Sequence, residues 1–577
     1  MFDQHKLITD PVAHSVTASA VFAALPLLTL FVLLGILRMR AWLAGLISLG
    51  VALVVAVAVY SMPAGQAVLS ATEGAAFGFF PILWIVINAI WVYNLTVASG
   101  HFDVLRRSFA RVSPDMRIQA IIIAFCFGAL LEALAGFGTP VAITVVMLMA
   151  LGFRPIHAAA LSLIANTAPV AFGALATPIV TLASVASGAN DDARLTVDTL
   201  GAMVGRQTPV LALVVPLVLV AVVDGRRGVR QAWPAAAVAG VAFAVAQFVA
   251  SNYISVQLTD IVASLFSAAA VVALVRVWRP ADSPDLRAET ADPAPAGAPP
   301  PPARGERRTR PAPARAEATA AATVIAERDS GAEVARAYAP YLVIIAVFSV
   351  ANIGPVKTAL AKSPWSTKFA WPGLDVVGAN GKPLSSITFA LGWLPAAGTL
   401  MIVSGIITAI ILRIAPRRAL TAYLDTYVAL RHAILTVMAV LALAYVLNQS
   451  GQTNTLGAFL AAAGGAFAIL SPILGWIGVA VTGSDTSSNA LFGALQVQTA
   501  AGAGLDPLLL AAANSSGGVM GKMISPQNLA IAASAVGMAG KEGEIFRRVF
   551  GWSVALLAFM CVLVALQATP VLSWMVP

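Results

Sequence analysis

The sequence predicts an all-α, multi-pass membrane protein, and three observations carry that prediction. Hydrophobic residues fill 59% of 577 positions against 11% charged, the mean hydropathy is +0.87, and apolar runs near helix-spanning length recur along the chain. Soluble domains carry about 25% charged residues, so a string of them is excluded. A helix of about 20 apolar residues crosses the ~30 Å hydrocarbon core. About fourteen runs qualify: 20–37, 41–60, 77–98, 117–135, 157–180, 200–223, 233–250, 258–277, 338–353, 386–412, 425–447, 455–481, 507–536 and 549–569. Two shorter pieces, 139–151 and 488–503, follow Gly-rich breaks and are predicted to be re-entrant or half-helical.

The net charge of +9 and pI near 9.8 need no nucleic-acid partner, because arginines sit in short connections between apolar runs. Connections around Arg38, Arg111, Arg154, Arg227, Arg417 and Arg547, with the stretch 276–336, alternate along the chain. The positive-inside rule puts them in the cytoplasm and both termini outside. The lysine-bearing stretch 355–383 then falls outside, which requires the short run 338–353 to span. Residues 279–337, rich in Pro, Ala and Arg, are expected to be a disordered cytoplasmic linker between an amino-terminal half (1–278) and a carboxy-terminal half (338–577). Residues 1–17 lack the basic start and cleavage site of a signal peptide, so the first run is expected to remain as a span. Cys126 and Cys561 lie in apolar stretches and supply neither a disulfide framework nor a metal site; no cofactor or metal is expected.

Each half carries one copy of a shared pattern, with cores at 117–223 and 455–536. Asn166 is followed by Gly173 and Pro178, and Asn514 by Gly521 and Pro526, at identical offsets of 7 and 12 residues. Upstream, GFGTP (136–140) and GSDTS (483–487) precede these asparagines at nearly equal distance. Under the topology above, the two Asn-bearing spans cross in opposite directions. Inverted repeats with interrupted helices point to a secondary transporter with its substrate near the midplane. A helix broken at glycine exposes N–H and C=O groups that lipid cannot satisfy, so a polar cavity or a ligand must do so.

The strings EALAGFGTPVAI (132–143), TGSDTSSNALFG (482–493) and ANSSGGVMGKMISPQNLAIA (513–532) resemble the lactate permease family of bacterial proton-coupled 2-hydroxyacid transporters. The resemblance covers most of the chain, and the linker looks like an insertion. It implies a carrier, not an enzyme, that takes up L-lactate, D-lactate and glycolate by proton symport across the bacterial inner membrane. A likeness to ion transporters with hairpin-containing transport domains implies an elevator-like motion by analogy. Assembly as a homodimer stays open.

A 2-hydroxycarboxylate offers a carboxylate and a hydroxyl, so its site needs N–H donors or a cation, plus an amide or hydroxyl. Half-helix N-termini carry about +0.5 charge and free N–H groups. The candidate substrate-binding residues are therefore Gly136, Phe137, Gly138 and Thr139 at one break and Ser484, Thr486, Ser487, Ser488 and Asn489 at the other, with Asn166, Asn514 and Lys522. Small residues at these places also serve close helix packing; two matched clusters favour a site. Ionisable groups in apolar segments cost about 2.5–3.5 kcal/mol each and tend to face a cavity or partner. Glu132 and Asp485 are the proton-coupling candidates, and Asp485 alternatively caps the following half-helix. Lys522 either holds the carboxylate or pairs with Glu132 or Asp485. Arg206 and His432 read as interfacial anchors. Pro178 and Pro526 within long apolar runs either free a carbonyl for the site or mark kinks.

Rival classes find little support. SGGVMGKM (516–523) imitates a phosphate loop but has Ser516 for its first glycine and Met523 for its final hydroxyl. No HExxH or GxSxG string is present. The serious alternative is sodium coupling, with broken-helix carbonyls, Asp485 and Asn514 ligating Na⁺.

Overall fold

The computed structural model describes residues 3–136, 138–190, 192–280, 329–378 and 381–577. Most of the expected linker lies outside the described residues, as does the candidate site residue Phe137. Within hydrocarbon every backbone group must be paired inside its own segment, and helices do this. Among the described residues ten helices are long and apolar enough to cross a bilayer, from Val16–Ile36 to Glu542–Gln567. The chain is thus an all-α, multi-pass membrane protein.

The fourteen apolar runs do not map one to one onto these ten. Runs 157–180 and 507–536 are each divided, into Pro155–Ala165 and Thr177–Ala186, and into Pro507–Lys522 and Pro526–Ala535. Run 386–412 becomes a strand, Thr388–Leu391, and a 15-residue helix, Ala397–Ile411. Run 455–481 separates into Gln452–Ala461 and Phe467–Thr482. Runs 200–223 and 233–250 join in one 53-residue helical stretch, Val197–Val249, with non-helical dihedrals at Asp224 and Gly225. That stretch folds back on itself, since a Cβ at Gly240 would lie 2.9 Å from Leu213 O and Thr208 donates to Gln247. The short piece 488–503 is part of a full helix, Asp485–Ala503.

Two helical hairpins result. In the first, Met116–Ala135 ends at Gly136, and Thr139–Ala150, which begins after Gly138, packs back against it. In the second, Phe467–Thr482 turns at Gly483 and Ser484, and Asp485–Ala503 returns alongside. Ser488 Oγ donates to Gly475 O (3.2 Å) and Gln496 Nε2 to Ser471 O (3.0 Å), which fixes the antiparallel register. Hairpins and broken helices cross-pack: Thr177–Ala186 lies against Asp485–Ala503, and Pro526–Ala535 against Thr139–Ala150.

Each end of the molecule is tied by its own ion pairs. At one end Arg117 is fully buried between Asp115 (2.8 Å) and Asp224 (3.1 Å), Arg107 pairs with Asp329, and Arg548 meets His157 (3.1 Å). At the other, strand His5–Lys6 pairs with Val376–Val377, Lys357 pairs with Asp198 (2.7 Å) and Arg194 with Asp506 (3.0 Å). The amino terminus and the lysine-bearing stretch thus share an end. The 22-residue helix Gly331–Asn352 is long enough to separate them from Asp329, six residues longer than run 338–353.

Glycine makes the closest helix contact possible. A Cβ on Gly517 would lie 2.3 Å from Pro472 O, and one on Gly521 2.3 Å from Trp476 O. Gly521, part of the repeated pattern, therefore serves packing, the use small residues have in membrane helices. Gly521→Val is expected to cost about 3 kcal/mol, the upper end for overpacking, because backbone cannot yield. A lowered melting temperature of the detergent-solubilised protein checks this; unchanged melting contradicts the contact.

Candidate functional site

Glycine also shapes the hairpin tips. Gly136 (φ +36°), Gly138 (φ +85°) and Gly483 (φ +77°) occupy left-handed conformations that a Cβ disfavours. Pro140 stands in the first turn of its helix, where a missing N–H costs nothing. At the second tip Ser484 is the N-cap, its Oγ accepting from Ser487 N (3.3 Å). Asp485 is therefore not the cap, and its carboxylate is left for other partners.

The prolines of the repeat play the same part. Pro178 and Pro526 each open the second half of a broken helix, so the reading as a mid-span kink gives way to a restart after a break. The first break is wide, from Asn166 to Ala176, with Leu175 (φ +49°) and Ala176 (φ +60°) held left-handed despite their side chains. Such strain collects at functional sites. The second is short, and Ser525 Oγ caps the new helix at Asn528 N (3.3 Å).

These breaks bring Glu132 and Lys522 together across 390 residues of chain, with Lys522 Nζ 2.6 Å from Glu132 Oε1. Asn166 Nδ2 donates to the other oxygen of Glu132 (3.0 Å). Both charged groups are buried, Glu132 at 3% and Lys522 at 6% exposure. A second constellation surrounds Asp485, whose Oδ2 accepts from Ser515 Oγ (2.6 Å) and Asn489 Nδ2 (3.2 Å). Asn489 Nδ2 also reaches Pro178 O (3.1 Å), Asn514 Nδ2 donates to Asn489 Oδ1 (2.9 Å), and Gln496 Nε2 donates to Asn514 Oδ1 (3.1 Å). Asp485 Oδ1 has no hydrogen-bond partner among the described residues.

Both constellations border a cavity of about 1240 Å³. Of the candidate residues, Glu132, Gly136, Ser484, Asp485, Thr486, Ser487 and Lys522 line it, joined by Gly173 and Thr177. Asn166, Ser488, Asn489 and Asn514 are buried in the bonded networks instead of on the wall. Gly138 turns against Pro526–Ala535, where a Cβ would meet Ile531 at 2.3 Å, and Thr139 likewise does not line the cavity. The second tip thus faces the cavity more fully than the first. His432 lines the cavity, while Arg206 bonds Asn252 (3.0 Å) and the carbonyl of Met575 (3.1 Å).

Besides Asp115, which pairs with Arg117, two buried acids among the described residues escaped the sequence reading. Asp260 accepts from Gln247 Nε2 (3.3 Å), which also donates to Ala168 O (3.3 Å) in the first break. Asp260 is third in run 258–277, at a span end, and the helix start is tucked inward so that it is buried. Glu73 accepts from Gln449 Nε2 (2.8 Å) in a helix, Ala64–Phe77, whose polar composition hid it from a hydropathy search.

Interrupted helices enclosing buried charges around an open cavity define a multi-pass membrane protein with a polar site inside its helical bundle. The sequence matches the L-lactate permease family over residues 19–571, and the chain belongs to that family. The chain is 39% identical to an L-lactate permease of Bacillus subtilis, over 98% of this chain and 99% of that protein. It is 38% identical to an L-lactate permease of Escherichia coli, over 98% of each. It is also 39% identical to the glycolate permease GlcA of Escherichia coli, over 95% of this chain and 96% of that one.

Proposed function

We propose that the protein carries lactate and related 2-hydroxycarboxylates, glycolate included, across the bacterial inner membrane together with a proton. The observation that carries this reading is the Lys522–Glu132 pair at the cavity wall. While Glu132 is ionised, the ammonium is engaged. Protonating Glu132 releases Lys522, which then takes the substrate carboxylate as its counter-charge, so each ligand favours the other. The hydroxyls of Thr486 and Ser487 in the same wall suit the substrate hydroxyl. Asp485, with one oxygen unpartnered and Lys522 nearby, is a second proton-coupling candidate.

The arginine-bearing end is assigned to the cytoplasm by the positive-inside rule, which makes this an inward-facing arrangement. The two hairpins, one with its ends at the arginine-bearing side and one at the opposite side, support an inverted repeat. Proteoliposomes given a pH gradient or a sodium gradient separately test the coupling. Lactate uptake is expected with the pH gradient alone; uptake that requires sodium at constant pH would replace proton coupling with sodium coupling.

A further inference from the structure

The cavity carries a second concentration of charge, at its mouth. Arg38 and Arg40, from the connection after Val16–Ile36, and Arg431, from helix Pro416–Ser450, line the same cavity as Lys522. Among the described residues none of the three has a carboxylate within ion-pair distance, and Glu542 is the single acid beside them in the lining. Arg431 Nε donates to His432 Nε2 (3.3 Å), and His432 stacks on Trp42 with ring centroids 6.1 Å apart. That arrangement braces Arg431 while leaving its terminal nitrogens open to an anion. Positive-inside topology accounts for the sign of these residues but not for their convergence. Arg413, Arg417 and Arg418 satisfy the same rule at the next connection without lining the cavity.

The cavity, at about 1240 Å³, exceeds the roughly 300–1,000 Å³ that encloses drug-sized ligands. A three-carbon acid at the base leaves the mouth vacant, and one at the mouth has not yet reached Lys522. We propose that Arg38, Arg40 and Arg431 form a second, low-affinity site for the transported monocarboxylate, a station between the cytoplasm and Lys522. The inference rests on the reading of the chain as a 2-hydroxycarboxylate carrier with its arginine-bearing end in the cytoplasm. Clefts lined by one sign of charge concentrate counter-ions and raise association rates by about 10–10³. The station therefore acts on substrate arriving from the arginine side alone.

The test measures initial lactate transport from each side separately, in proteoliposomes whose insertion direction is determined by cysteine labelling. In R38Q/R40Q/R431Q, half-saturation from the arginine side is expected to rise about five- to ten-fold, near the low end of the steering range. Half-saturation from the opposite side stays within about two-fold of the parent, which also shows that the variant is folded. The asymmetry disappears at about 1 M salt, where the Debye length is ~3 Å. The corresponding lysine variant, R38K/R40K/R431K, keeps the parent behaviour. Unaltered kinetics on both sides, or equal increases on both, would overturn the station and leave these arginines as orientation signals. Parent protein that moves no 2-hydroxycarboxylate would overturn the carrier reading itself, and the station with it.

Discussion

Glu132→Gln is expected to abolish accumulation of lactate driven by a pH gradient while exchange of labelled for unlabelled lactate continues. Glutamine keeps one oxygen for one of the two donors, Lys522 Nζ and Asn166 Nδ2, that meet separate oxygens of Glu132 at 2.6 and 3.0 Å, but cannot release and rebind a proton. Without the ionised carboxylate, Lys522 is permanently available to the substrate. The carrier then shuttles lactate with no link to the proton, and the steady-state ratio across the membrane falls to about 1, the value without a coupled gradient. Stability should drop by less than the about 3–5 kcal/mol of a buried pair stripped of one partner, because the amide still accepts a hydrogen bond. Accumulation at the parent level would return Glu132 to a purely structural role.

Lys522→Met has the larger effect on the protein itself. It leaves Glu132 buried at 3% exposure with only Asn166 as a bonded partner, a loss of about 3–5 kcal/mol. Both accumulation and exchange should vanish, since the cation proposed to meet the carboxylate is gone. The double variant K522M/E132Q separates the two consequences: melting in detergent recovers most of the loss, but transport does not return. Exchange by Lys522→Met with half-saturation within about two-fold of the parent, well under the tenfold that 1.4 kcal/mol represents, would remove Lys522 from the site.

Hydropathy identified the membrane class and most of the long helices, because lipid-facing helices must be apolar around much of their surface. It found the wholly buried helix Met116–Ala135 but missed one in which polar residues interrupt the apolar ones. Ala64–Phe77, with Gln66, Ser70 and Glu73 all buried, packs against Pro416–Ser450 so closely that a Cβ on Gly74 would lie 2.5 Å from Leu441 O. Gln66, Ser70 and one oxygen of Glu73 find partners in protein, and nothing in its apolar content announces a buried element. Several elements of the candidate site were also legible. Glycines at 136, 138 and 483 marked both tips, and the matched offsets singled out Pro178 and Pro526, where the second halves of the broken helices begin. Glu132, Asp485 and Lys522 stood out as charges in apolar surroundings. The distribution of roles among them was not legible. Whether Lys522 belongs to Glu132 or Asp485 depends on how two breaks of unequal width bring distant segments together. The width of the first break was also hidden, since residues 167–176 are nearly as apolar as a continuous helix.

A chamber this roomy is a poor sieve. In the proposed binding mode an acid with a longer tail than lactate would find the same ammonium and hydroxyls, at Lys522, Thr486 and Ser487, within the same large cavity. If the carrier discriminates by chain length, this open cavity does not supply the discrimination, and a closed conformation would have to. A bulky 2-hydroxyacid that docks from the arginine-bearing side but obstructs such closure would then stall the carrier mid-cycle, acting as an inhibitor from one face of the membrane.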